Sequence, residues 1–271
     1  MSTLVCFHAH PDDECIATAG LLVGAKAAGH RTVLVVATRG ERGEVAEGVL
    51  EEGEALWERR TLETYESARI LGVDRLEFLG YVDSGMMGEP TNDAPYCFWQ
   101  ADVEAAAERL AAVLREESAD LLTVYDDHGG YGHPDHIQVH RVGIRAAELA
   151  GVPRVLQATM NRDAIREAMA EALAAAEEAV ANEADAVELP DVPDDAEFGK
   201  PAAEITHGVD VAAHLEEKRA AMVAHASQIP PDSWFLRMAP EDFARAFGTE
   251  WYIEWGRPRG ADEPFRSEVW R

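Results

Sequence analysis

The chain has 271 residues, 47% of them apolar, with a mean hydropathy of -0.23, enough to bury a substantial core as one large α/β domain with a C-terminal elaboration. Fifty-one acids against 24 Lys and Arg give a net charge of -27, which repels nucleic-acid phosphates and anionic membrane surfaces and leaves a small neutral or cationic molecule as the expected partner. No run of about 18 apolar residues is present to cross a bilayer, and the opening "STLVCFHAH" lacks the pattern of a secretory signal, so a cytoplasmic protein is expected, with a homo-oligomer allowed. Cys6, Cys15 and Cys97 are odd in number and show no CxxC spacing, so they read as buried small hydrophobes rather than a disulfide framework or thiolate metal site.

In chain order, the β-rich runs "TLVCFHA" and "RTVLVVATRG" flank "CIATAGLLVGAKAAG", whose small and apolar residues predict one helix that stops at Gly29. A charged helix over 51–71, the strand "RLEFLGY", a helix over 102–117 and the strand "DLLTVYDD" follow. A helix over 134–150 and the strand "PRVLQATM" close this part of the chain. Strands separated by helices of crossover length predict a Rossmann-like α/β fold, its sheet mostly parallel with helices on both faces, spanning 1–160. Beyond it, 161–200 reads as a long Ala- and Glu-rich helix and an acidic, proline-broken loop, neither of them catalytic. Residues 201–271 complete the domain with "ITHGVDV", a helix containing "HLEEKRAAMVAHASQ", and "EWYIEW", whose Trp251, Tyr252 and Trp255 are expected in the core.

Sheets of this kind bind ligands at the carboxyl ends of their strands. One such end carries "HAHPDDE", where His10, Asp12, Asp13 and Glu14 are expected to meet in a small volume; the other carries "YDDHGGYGHPDH". Crowded carboxylates beside imidazole suit a divalent cation. Pro134 is a good first residue for the following helix, placing His133 at its edge and Asp135 and His136 in its first turn. One His and one carboxylate from the first turn with one His from the second leave room for water, as open catalytic zinc sites do. His140, one helical turn after His136, is read as a helix residue, and His8 is expected to face away from His10.

The pair "AHPDDE" and "HPDH", each at a predicted strand end, resembles the LmbE-like or PIG-L family of metal-dependent de-N-acetylases, and the likeness returns at "KRAAMVAHASQ". "YVDSGMMG", "RRTLETYESARILGV" and "GGYGHPDH" are similar to the actinobacterial branch of that family that acts in the mycothiol pathway. The resemblance implies a Zn2+ cofactor, with Fe2+ also compatible with N and O ligands, held by His10, Asp13 and His136. It further implies Asp12 as general base and then acid, with Tyr131 and a protonated His133 stabilising a negative oxygen. Asp135 would orient an imidazole. Arg60 and Asp83 match substrate-contact positions. Each also has a plainer reading: Arg60 can pair with Glu63 on its own helix, Asp83 can cap the "SGMMG" turn, Tyr131 can pack on its loop, and His225 can stand at the pocket rim or cap a helix.

The activity implied is hydrolysis of the acetyl group from an N-acetylglucosamine conjugate. Two alternatives stand beside it: an amidase for a larger acyl group, such as a mycothiol S-conjugate, and a nucleotide-binding module without hydrolytic activity. Neither GxGxxG nor GxxxxGK[ST] opens the first helix, which weighs against the module.

Overall fold

The computed structural model describes residues 1–45, 48–181 and 198–270. In chain order the elements are β1 (Thr3–His8), α1 (Asp13–Ala17), α2 (Ala19–Ala27), β2 (Arg31–Val36), α3 (Leu56–Ile70), β3 (Arg75–Phe78), α4 (Val103–Glu116), β4 (Leu121–Tyr125), α5 (Gly129–Gly132) and α6 (Pro134–Ala150). After them come β5 (Val155–Thr159), α7 (Arg162–Ala181), β6 (His207–Asp210), α8 (Leu215–Ala224), α9 (Trp234–Arg237), α10 (Pro240–Phe247) and β7 (Thr249–Glu254). The seven-stranded sheet runs β3-β2-β1-β4-β5-β7-β6. The first five strands pair in parallel, and β7 and β6 add an antiparallel edge. The mixed α/β architecture expected from the alternating pattern is therefore present. Most of the acidic loop expected before Gly199 lies outside the described residues, and among the described residues no helix is long and apolar enough to cross a membrane.

β1 shows why a continuously apolar run makes a central strand. Successive side chains point to opposite faces, and both faces are covered: Val5 and Phe7 join one core with Leu110, Leu114, Val139 and Val142 of α4 and α6, while Leu4 and Cys6 join another with Leu22, Met222 and Tyr252. Each large aliphatic side chain removed from water in this way contributes about 1.5–3 kcal/mol. All three cysteines are buried and free.

The helix expected between the first two strands is two helices. Thr18 breaks it with φ -141°, and its hydroxyl lies 2.8 Å from Nε2 of His8. The freed amides of Gly20 and Leu21 donate to the carboxylate of Glu250 at 2.8 and 2.9 Å, and Lys218 neutralises that carboxylate at 2.8 Å. A cap supplied from 230 residues away has no local signature. α3 begins five residues later than expected from 51, because Gly53 takes a left-handed φ of 83° just before it. Tyr252 is fully buried, but Trp255 at the strand end is 49% exposed, against the core role expected for it.

The strand order reverses between β1 and β4, which are neighbours whose connections leave in opposite directions. The carboxyl ends of these two strands border the crevice where ligands of doubly wound sheets sit. Both unusual turns, 9–14 and 126–136, start there.

Candidate active site and metal centre

The turn after β1 leads through His10 and Pro11 into α1, whose first residue is Asp13. Asp12, which caps α1, holds φ 96°, one of two left-handed non-glycine residues among those described; such a conformation costs on the order of 1–3 kcal/mol. Asp13 turns into the cavity, its Oδ2 accepting from the His10 amide at 2.9 Å. Glu14, one helical step on, does not join it. Its side chain is fully buried beneath the turn, where it accepts from the Asp12 amide at 3.0 Å, from Ser67 at 2.5 Å and from His225 Nε2 at 2.6 Å.

The second turn is built by Asp126, whose Oδ1 accepts from the amides of His128 and Gly130 at 3.0 and 2.9 Å. Gly129 has φ 68°, and a Cβ there would stand 2.6 Å from Cβ of His136, so only glycine lets α5 close onto α6. Pro134 opens α6 as expected, and His133 caps it by accepting the Asp135 amide on Nδ1 at 3.1 Å. Asp135 and His136 are buried in its first turn.

The two turns meet. Ring nitrogens of His10, His133 and His136 lie within 4.8 Å of one another. His10 Nδ1 is 3.4 Å from Asp13 Oδ2, and His136 Nε2 is 3.4 Å from Asp13 Oδ1. A tetrahedral ion with bonds of ~2.0–2.1 Å to N and O requires donors ~3.3 Å apart, close to these two separations, which two different oxygens of Asp13 make. His136 Nδ1 lies 3.2 Å from the Gly129 carbonyl and so carries the proton, leaving a buried Nε2 with no hydrogen-bond partner. His10 Nε2 lies 3.2 Å from Asp135 Oδ2 and 3.5 Å from Asp83 Oδ1, so its proton sits there and Nδ1 is the free donor. His10, Asp13 and His136 therefore fit a divalent cation. His133 fits less well, because its Nδ1 is already occupied and its proton stands on Nε2.

Electrostatics sort the remaining groups. Burial lifts the Asp12 carboxyl to about 6, despite the Arg60 guanidinium 3.3 Å away. Burial, reinforced by His10 and His136, lowers His133 to about 3, which favours a neutral ring with its proton on Nε2 over the protonated ring that the resemblance implies. Burial opposes charge on His10, but Asp83, Asp13 and Asp135 outweigh it and raise its pKa.

Several expected roles are corrected or sharpened. Arg60 does not pair with Glu63, which instead accepts from the Ser227 amide and hydroxyl at 2.9 and 2.6 Å. Arg60 reaches the turn of residue 12, donating to the Pro11 carbonyl at 2.5 Å and the Gly40 carbonyl at 2.8 Å. Gly40 has φ 63°, and a Cβ there would overlap this guanidinium at 2.1 Å. Asp83 accepts from the amides of Gly85 and Arg42 at 2.9 and 3.2 Å, so it caps its turn as well as facing His10. Tyr131 is 49% exposed and sets its ring 5.0 Å from that of His136. His140 bonds the Tyr125 carbonyl at 3.1 Å, and His8 lies buried between Thr18 and Tyr125, whose ring separates it from His136 by stacking on that imidazole at 4.3 Å. His225 stands at the end of α8, buried against Glu14 rather than at a pocket rim. Ser84 was not foreseen: its amide and hydroxyl both donate to Asp135, the amide at 2.9 Å. Its position beside Asp83 in "DSGM" was the available signal.

Such a set of donors at the switch point of a doubly wound sheet places the chain among α/β enzymes with a candidate metal centre. Comparison with known proteins narrows the class: the PIG-L family, described as GlcNAc-PI de-N-acetylase, matches residues 5–147. The chain belongs to this family. It is 39% identical over 262 residues to a 1D-myo-inositol 2-acetamido-2-deoxy-alpha-D-glucopyranoside deacetylase of Acidothermus cellulolyticus, covering 93% of this chain and 88% of the relative. It is 43% identical over 239 residues to the protein of the same description from Thermobifida fusca, covering 83% of each. Among solved structures, the N,N'-diacetylchitobiose deacetylase of Pyrococcus horikoshii shares the fold with a TM-score of 0.60 and 21% identity, over 93% of this chain and 83% of that one.

Proposed function

We propose that the chain hydrolyses the acetamide of an N-acetylglucosaminyl inositol, releasing acetate and the free amino sugar, with a divalent ion, Zn2+ or Fe2+, held by His10, Asp13 and His136. The observation that carries this reading is the convergence of the two turns on His10, Asp13 and His136, with the Asp13 carboxylate 3.4 Å from a ring nitrogen of each histidine. The relatives named as deacetylases of that inositol glycoside, matched over most of the chain, support the substrate class.

Bound there, the ion supplies Lewis acidity and makes hydroxide available near neutral pH. The protein's own groups do the rest. Asp12 accepts a proton from the attacking water as the C–O bond forms, and delivers it to the amine nitrogen as the C–N bond breaks. Its left-handed backbone and the Arg60 guanidinium fix where that carboxylate stands. His133 donates Nε2–H to the carbonyl oxygen as negative charge grows on it, and the Tyr131 hydroxyl is the second donor from the same turn. Asp135, held by Ser84, keeps the His10 proton on Nε2. Arg60 and Asp83 are the proposed sugar contacts. Arg60 is only 3% exposed, so direct contact requires the loop at Gly40, which covers its guanidinium, to open.

The test is release of acetate and free amine from synthetic N-acetylglucosaminyl inositol. Equimolar release that stops on chelation and returns with Zn2+ is expected; no release, or release that survives complete metal removal, overturns the reading.

A further inference from the structure

Behind the site lies a buried cluster that the mechanism above leaves unused: Glu14, Ser67 and His225, each fully inaccessible to solvent. Glu14 uses both oxygens. Oε2 accepts the Asp12 amide at 3.0 Å, while Oε1 receives Ser67 at 2.5 Å and His225 Nε2 at 2.6 Å. The far side of the cluster is also tied down. Ser227 clasps Glu63 of α3, and Gln228 donates to the Glu44 carbonyl at 2.8 Å, so the turn after α8 cannot drift from the loop near Arg60.

We propose that His225 is a positioning residue for Asp12, acting through Glu14. The proposal rests on the reading of Asp12 as the base. A buried ion pair is poor evidence for stability, since apolar side chains of equal volume often do better, but it specifies geometry well. Here the geometry specified is that of a residue whose backbone is strained. Asp12 sits at φ 96° with its amide on Glu14 Oε2, its carbonyl accepting from the Cys15 amide at 3.1 Å, and the preceding carbonyl held by Arg60. Without His225, Oε1 keeps only the Ser67 hydroxyl; the Glu14 carboxylate loses its ring anchor and turns about that one bond, the Asp12 amide loses its acceptor, and the turn relaxes toward a right-handed conformation that moves the Asp12 carboxylate.

The test is a double-mutant cycle on the full chain, read with N-acetylglucosaminyl inositol and by metal content. His225→Ala is expected to lower kcat about 10- to 100-fold, with KM and bound metal unchanged. His225→Gln, whose amide can still donate to Glu14, should recover kcat to within about threefold, and in an Asp12→Asn background His225→Ala should cost less than about twofold. Equal losses in both backgrounds, or a loss carried by KM or metal content, overturn the proposal. If Asp12→Asn alone keeps full activity, the assignment of the base fails instead, a separate result. Should His225→Ala not fold, Ser67→Ala removes a single hydroxyl from the same oxygen. It is expected to lower kcat several-fold in the parent chain and not in the Asp12→Asn background, and equal losses again overturn the proposal.

Discussion

The tripeptide His-Pro-Asp occurs twice at the site and does different work each time. In the first copy, His10 offers a ring nitrogen to the ion site and Asp12 stands beside it in a left-handed turn, partly accessible. In the second, His133 caps a helix and Asp135 is sealed inside, bonded to Ser84 and His10. Pro11 precedes a strained residue, whereas Pro134 begins a regular helix. In each copy the residue that follows, Asp13 or His136, completes the donor set. Identical letters therefore acquire different settings from backbone conformation and distant partners: one Asp stands partly accessible beside Arg60, the other is sealed against Ser84 and the His10 ring.

Breaking the two copies separately should give unequal effects. Asp12→Asn is expected to lower kcat by about 10²–10⁴ with bound metal retained; steady-state kinetics beside elemental analysis checks this. His133→Gln should lower kcat by about 10²–10³ with little change in KM. If His133 is instead a ligand, the same variant loses metal. Asp135→Asn should cost about 10- to 100-fold, expressed as weaker metal binding as well as slower turnover, because the His10 ring loses its acceptor. Competition with a chromogenic chelator measures that affinity.

A smaller effect comes from a histidine outside both copies. His207 on β6 is buried, and burial, only partly opposed by Glu254, lowers its pKa to about 4. An unfolded histidine titrates near ~6.5, so between that value and about 4 the unfolded chain binds the extra proton and stability falls as pH falls. Urea midpoints from pH 7 to 4.5 should therefore drop more steeply for the parent chain than for His207→Gln. Parallel curves would show that His207 contributes no such linkage.

Much of this is legible in the sequence. The alternation of apolar runs and helices announced the parallel sheet, since β1 and β4 are buried on both faces and read as unbroken hydrophobic stretches. The two polar turns were visible because acids and histidines crowd at the carboxyl ends of apolar strands, where sheets of this kind bind ligands. What stayed hidden depended on contacts far along the chain. The break at Thr18 is stabilised by Glu250, the tautomer of His133 by the amide of Asp135, and the burial of Glu14 by His225. A run of three acids cannot reveal which of them turns inward, because that depends on the left-handed step at Asp12.

Counting bound metal tests the central claim most directly. Elemental analysis of the purified chain, with His10→Ala and His136→Ala in parallel, should find about one divalent ion per parent chain and far less than one in each variant, since either turn alone offers too few donors. A full equivalent of metal retained by both variants would mean that the two turns do not share an ion, and the account would fail at its centre.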